Sequence, residues 1–108
     1  MLTSATTLVE RRKVLNGDLG THPYEAGWAA EALFFVQTEG PHPALRIQPQ
    51  ISPDGIHWLD FGQSAELGAD QDLMAVPLSQ FGTWIRLMIS GATPHATATV
   101  LVRIALKG

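Results

Sequence analysis

Between Pro43 and Trp58 the chain reads PALRIQPQISPDGIHW, and few folds accommodate that stretch. Leu45, Ile47 and Ile51 share one parity with Arg46, Gln48 and Gln50 between them, the period of a β-strand with one buried and one wetter face. Pro49 belongs to the inward set and can donate no ladder hydrogen bond, so the strand is expected at a sheet edge or bulged at that point. Ser52-Pro53-Asp54-Gly55 then reverses the chain, because proline presets φ at the second turn position and glycine accepts positive φ. Trp58, three residues beyond the glycine, is placed to fold back over this hairpin or to cap the core. Pro53, Asp54, Gly55 and Trp58 are therefore read as structural turn residues. The stretch holds no nucleophile–base pair, no cluster of metal ligands and no phosphate loop.

The remaining segments continue the pattern. Residues 1–5 are expected to form a loose arm. The run TTLVERRKVL puts Leu8 and Val14 on one parity and Val9 and Leu15 on the other; it predicts a strand, and Asn16-Gly17-Asp18 predicts a hairpin after it. Arg11-Arg12-Lys13 fit a solvated edge that discourages unwanted pairing, with an acidic docking partner as the alternative. Gly20 to Gly27 is expected to be an irregular connection. Trp28 to Thr38, WAAEALFFVQT, has helix-favouring residues, but Phe34-Phe35-Val36 and the stop at Gly40-Pro41 favour a strand. Its two faces, one with Trp28, Ala30, Ala32, Phe34 and Val36 and the other with Glu31, Leu33, Phe35 and Gln37, are both apolar. Such a strand is central in a layered domain or faces a neighbouring subunit.

A brief strand is expected at Leu59 to Phe61, a polar loop at Gly62 to Asp72, and another strand at Leu73 to Leu78 with Pro77 as an edge marker. Trp84 to Ser90 points Ile85, Leu87 and Ile89 one way and Trp84, Arg86 and Met88 the other, and Ala98 to Lys107 alternates most cleanly of all. The connections Gly40-Pro41-His42-Pro43 and Gly91-Ala92-Thr93-Pro94-His95 suggest two similar hairpins. Seven to eight short strands with regular turn signals predict one all-β domain over residues 1–108, an antiparallel β-sandwich of jelly-roll-like kind.

Composition narrows the function. Net charge is −3 and no basic cluster exists beyond Arg11-Arg12-Lys13, so the footprint of a nucleic-acid binder is absent. There is no cysteine, hence no thiolate metal site or disulfide framework. No apolar run approaches the roughly 18 residues of a membrane span and no signal peptide is evident. Charged residues make up 16% of the chain against about 25% in soluble domains, so the surface is expected to be rich in Gln, Thr, Ser and Ala, partly covered by a partner, or both.

Chemistry is harder to find. His22, His42 and His95 lie in turns without ligand spacing, and Glu66, Asp70 and Asp72 offer oxygen ligands for calcium without an EF-hand pattern. No metal or cofactor is expected. Asp54 beside His57 has no serine placed by a motif as nucleophile, and nothing shows that Asp54, Asp60, Glu66, Asp70 or Asp72 converge as a hydrolase pair, so no catalytic residue is assigned. Trp28, Trp58 and Trp84 would make a sugar-stacking platform if exposed together, although large aromatics more often anchor the core or its rim.

Gly40, Pro43, Leu45, Gln50, Ser52, Asp54, Gly55 and Trp58, followed by Gly82, Trp84, Ile85, Arg86, Gly91, Pro94 and the strand Thr97 to Lys107, resemble small structural proteins of tailed bacteriophages. The resemblance covers about two-thirds of the chain and implies a virion β-sandwich, a capsid decoration or accessory protein that acts by binding rather than turnover. Ser-x-Asp-Gly-x-x-Trp is also similar to the hairpin of discoidin-type, galactose-binding-like domains. The leading expectation is a non-enzymatic virion protein, homo-oligomeric with a trimer possible, that docks on a major capsid or other virion protein. Leu33, Phe35, Trp84, Met88 and the segment Met1 to Thr7 are its candidate contacts, because apolar groups opposite a core set call for a partner. A carbohydrate-binding module is the alternative.

Overall fold

The structure, a computed structural model, describes residues 4–108. Ten antiparallel strands form two sheets: β1 (Ser4–Leu15), β2 (Leu19–Gly20), β3 (Tyr24–Glu25), β4 (Glu31–Glu39), β5 (Leu45–Ser52), β6 (Leu59–Asp60), β7 (Ala65–Leu67), β8 (Leu73–Ser79), β9 (Trp84–Ser90) and β10 (Ala98–Lys107). One sheet has four strands in the order β1-β10-β4-β8. The other has six, β2-β9-β5-β6, with β3 also on β9 and β7 also on β5. This is the expected antiparallel sandwich, with more strands than the sequence predicts because β2, β3 and β7, each only two or three residues long, lie in segments read as connections.

Period-two alternation builds the core. Phe34 and Val36 from β4, Val100, Val102, Ile104 and Leu106 from β10, Leu45 and Ile47 from β5, and Ile85, Leu87 and Ile89 from β9 are all buried in one cluster between the sheets. Each large aliphatic group there contributes about 1.5–3 kcal/mol relative to exposure. Along β1 the odd-numbered Val9 and Leu15 reach the core while the even-numbered Leu8 and Val14 stay exposed. Two register shifts, between Leu8 and Glu10 and between Glu10 and Lys13, each add one residue, so the second restores the parity that the first breaks. Arg11, Arg12 and Lys13 are exposed on this outermost strand, as a solvated edge requires.

Several expectations about connections are corrected. Asn16-Gly17-Asp18 joins β1 of one sheet to β2 of the other, so it is a crossover rather than a hairpin turn. The look-alike segments at 40–43 and 91–95 also pass between sheets, from β4 to β5 and from β9 to β10. Neither is a hairpin: the strands each one joins lie in different sheets. Gly20 to Gly27 is not wholly irregular: β2 and β3 both lie on β9, and Thr21 bridges them by donating its N–H to Leu87 O (2.8 Å) while its Oγ1 accepts from Leu87 N (3.0 Å). The loop from Gly62 to Asp72 contains β7, and Trp28 and Ala30 precede β4. In the predicted arm, Ser4 and Ala5 belong to β1, paired with Lys107 and Leu106; residues 1–3 lie outside the described part.

Pro49 is the instructive case. β5 is interior, with β9 on one side and β6 and β7 on the other, yet β6 and β7 stop short of each other. Pro49 O accepts a hydrogen bond from Phe61 N at 2.9 Å, so its nitrogen also faces that side, in the gap where no ladder donor is required. The proline sits at a local break in the ladder rather than on an edge strand.

Candidate docking faces

The four candidate contact residues fall on opposite sides of the molecule. Leu33 and Phe35 alternate with the buried Ala32, Phe34 and Val36 along β4, so they point away from the core on the outer face of the four-stranded sheet. Register sets Leu33 between Ala105 of β10 and Pro77 of β8, and Phe35 between Arg103 and Ala75. Together with Glu31 and Lys107, Leu33, Phe35, Pro77 and Ala105 line a shallow depression of about 690 Å³. Leu8 on β1 and Leu73 on β8, 40% and 57% exposed, extend the apolar surface to both edges. At one end a polar rim closes it: Arg103 Nη1 donates to Gln37 Oε1 at 3.1 Å, and Arg12 reaches across β10 to Glu39 Oε1 at 3.3 Å.

Trp84 and Met88 lie half-buried on the outer face of the six-stranded sheet, opposite the core-facing Ile85, Leu87 and Ile89. Between them Arg86 organises the surface. Its guanidinium carbon stands 4.3 Å from the centroid of the Trp58 ring, its Nε donates to Gln50 Oε1 at 2.8 Å, and Gln50 Nε2 donates onward to Asp60 Oδ1 at 3.0 Å. Gly20 leaves the room this requires, since a Cβ there would stand 2.8 Å from Arg86 Nη1. Partial burial lowers the Arg86 pKa from its ordinary value, and the cation keeps the ring and the amide as its partners. Trp58 thus folds back over the sheet rather than capping the core. Sequence reasoning assigned no contact to Arg86 and Gln50: parity puts each on the outer face of its strand, and only the register of β5 on β9 makes them partners.

The turn after β5 is fully specified by side chains. Ser52 Oγ accepts from Gly55 N (2.8 Å) and Asp54 N (3.2 Å) and donates to Asp54 Oδ1 (2.9 Å). Asp54 Oδ1 also accepts from Ile56 N and His57 N, and its Oδ2 lies 2.6 Å from His57 Nδ1. These bonds, the backbone one from His57 foremost, hold the Asp54 carboxyl far below its usual range. Serine, aspartate and histidine meet here in the wrong order for nucleophilic catalysis. The carboxylate stands between hydroxyl and imidazole, whereas a triad needs the imidazole to take the hydroxyl proton. The cluster is a turn staple.

The other candidates disperse. His42 bridges Pro43 O (2.7 Å) and Gln71 O (2.6 Å) and thereby ties two connections together. Among the described residues no three His, Asp or Glu side chains gather to hold a metal ion. Gly68 N donates to Gln71 Oε1 at 2.9 Å, so the acidic loop is shaped by a glutamine. Trp28, 47% exposed, packs beside Gly108, whereas Trp58 stacks with Arg86 and Trp84 lies against Gly55. Among the described residues no helix is long and apolar enough to cross a membrane.

Comparison with known proteins agrees with the fold. The crystal structure of SPBc2 prophage-derived protein YomS superposes with a TM-score of 0.67 over 100% of this chain and 96% of that one, at 9% sequence identity. No curated protein matches in sequence. Residues 29–107, from the approach to β4 through β10, match the family described as a domain of unknown function, DUF6385, and the chain belongs to that family.

Proposed function

We propose that this protein is a non-enzymatic structural component of a bacteriophage particle that works by docking on a larger protein assembly. The observation that carries the reading is that both outer faces of the sandwich, rather than one, present large apolar or aromatic side chains: Leu33 and Phe35 on one, Trp84 and Met88 on the other. A free-standing sandwich alternates apolar inward and polar outward, and a subunit with two adhesive faces is suited to bridging neighbours. Shared architecture with a prophage-derived protein supports the phage setting, and the hydrogen bonds that staple Ser52, Asp54 and His57 into their turn account for that cluster without a catalytic role. Co-sedimentation with virions or empty capsids of the phage that encodes the chain tests this. Binding that Met88→Lys or Phe35→Lys weakens is expected; absence of binding to every virion substructure would remove the reading.

A carbohydrate-binding role draws on the grouping of Trp58, Trp84, Arg86, Gln50 and Asp60 on one face. It is the weaker reading, because Arg86 covers one face of Trp58 and Gly55 lies against Trp84, which removes stacking surface a sugar would use. A glycan array that shows binding lost in Trp58→Ala would reverse this order.

A further inference from the structure

We infer that the outer face of the four-stranded sheet is covered by a second copy of this chain, packed face to face about a two-fold axis, leaving the Trp58–Trp84 face of each copy for the larger assembly. This deepens the docking reading by naming the occupant of one of its two faces.

Size is the first argument. Four strands about 4.8 Å apart and β10 at about 3.3 Å per residue span a plane of roughly 600 Å² before side-chain relief, close to the roughly 800 Å² each partner contributes to a standard stable interface. The anatomy also fits: an apolar centre lies inside polar ends, as in a core with its rim. Edge-to-edge pairing is the less favourable route, since bulges and three cations guard β1 and Pro77 interrupts the donors of β8.

Register supplies the second argument. β4 and β10 are neighbours in the middle of the sheet, with Glu31 opposite Lys107, Leu33 opposite Ala105 and Phe35 opposite Arg103. A two-fold axis parallel to the strands and midway between β4 and β10 exchanges the two strands, so each residue of one copy meets its own register partner from the other. Leu33 then falls on Ala105 of the second copy, large on small. Phe35 falls on Arg103, aromatic on guanidinium, and Glu31 on Lys107, acid on base. Among the described residues Glu31, Lys107 and Arg103 have no ion pair within their own subunit, the pairs being Arg12–Glu39 and His57–Asp54. The face is therefore complementary to itself in shape and in charge.

Sedimentation equilibrium of the full chain tests the assignment. A dimer is expected in the micromolar range; Ala105→Lys and Phe35→Lys should each raise its dissociation constant at least about tenfold, while Met88→Lys on the opposite face leaves it unchanged. Circular dichroism of each variant separates dissociation from unfolding, and Ala105→Lys, on an outward-facing position, is chosen to keep the fold. A monomer at about 100 μM, well above the dissociation constants typical of interfaces this size, would overturn the assignment. So would a trimer, or a dimer that Met88→Lys breaks and Ala105→Lys does not. The two readings fail separately: a monomeric chain that still co-sediments with capsids refutes the dimer alone, and a dimer that binds no virion structure refutes the docking alone.

Discussion

Gly55 is seated against the indole of Trp84: a Cβ at position 55 would stand 3.3 Å from Trp84 Cδ2 and 3.4 Å from Cε2, and the glycine holds φ at +79°. Turn and sheet face are thus built as one unit. The backbone conformation that reverses the chain also brings it onto a ring that starts β9, far away in sequence.

Gly55→Ala should therefore lose stability on two counts, the left-handed backbone and the displaced indole. We expect about 1–3 kcal/mol, the backbone part alone being about 1–2. Gly17→Ala is the control: nothing lies within 4 Å of its Cβ, and a change within about 0.5 kcal/mol is expected there. Urea unfolding with the slope held constant measures both. Equal midpoints for the two variants would show that neither the positive φ at Gly55 nor its contact with Trp84 constrains the turn.

Thr38 is buried on the core-facing side of β4, and its Oγ1 finds no hydrogen-bond partner among the described residues. A buried unpaired hydroxyl costs about 1–3 kcal/mol, and valine has nearly the same shape. Thr38→Val is expected to raise the melting temperature, with a gain of about 1 kcal/mol; a fall would mean that the hydroxyl is satisfied in solution.

Much of this architecture is legible in the sequence, and the residues show why. Trp84 to Ser90 alternates without interruption, and Ala98 to Lys107 does so except at Leu101, buried on the outward parity, so parity places their inward groups, and both strands appear as read. What the alternation cannot carry is which sheet a strand joins. Asn16-Gly17 and Gly40-Pro41 are turn signals whether the chain doubles back or crosses between layers, so local chemistry led to hairpins where long-range packing makes crossovers. The same gap separates Leu33 and Phe35 from Trp84 and Met88: each is correctly placed opposite its own core set, but only the sheet assignment reveals that they face opposite ways. Arg86 escaped notice because its partners, Trp58, Gln50 and Gly20, come from three other segments of the chain.

The Asp54 staple makes stability depend on acidity. The folded-state carboxyl lies well below the 3.8 that is ordinary for an aspartate, so the unfolded chain takes up its proton first as pH falls. The contribution is complete well above 3.8 and is lost as pH drops below that value toward the lower, folded-state one. Asp54→Asn retains an oxygen for the backbone donors but removes the charge that faces His57. The stability difference between wild type and Asp54→Asn should thus be largest near neutral pH and shrink below about 4. Thermal melts from pH 2 to 7 would reveal this; a difference independent of pH would assign the staple to hydrogen bonding without charge.

The crossover from β9 to β10 passes against the start of β5. A Cβ on Gly91 would collide with the carbonyl oxygen of Ala44 and stand 3.4 Å from Leu45 Cα, and φ at Gly91 is +118°. Because the obstruction is backbone, no side chain can swing aside to relieve it. The two connections that look alike in sequence, Gly40 to Pro43 and Gly91 to His95, thus adjoin at one end of the sandwich, and Gly91 is the residue that lets them do so. Gly91→Ala should cost about 3 kcal/mol or more, combining a strained φ with a backbone clash. Gly40→Ala, with φ at +74° but nothing within 4 Å of its Cβ, should cost only the left-handed backbone term, about 1–2 kcal/mol. The gap between the two variants reports the close approach together with the more extreme φ at Gly91, and equal losses in chemical unfolding would mean that the connections yield without resistance.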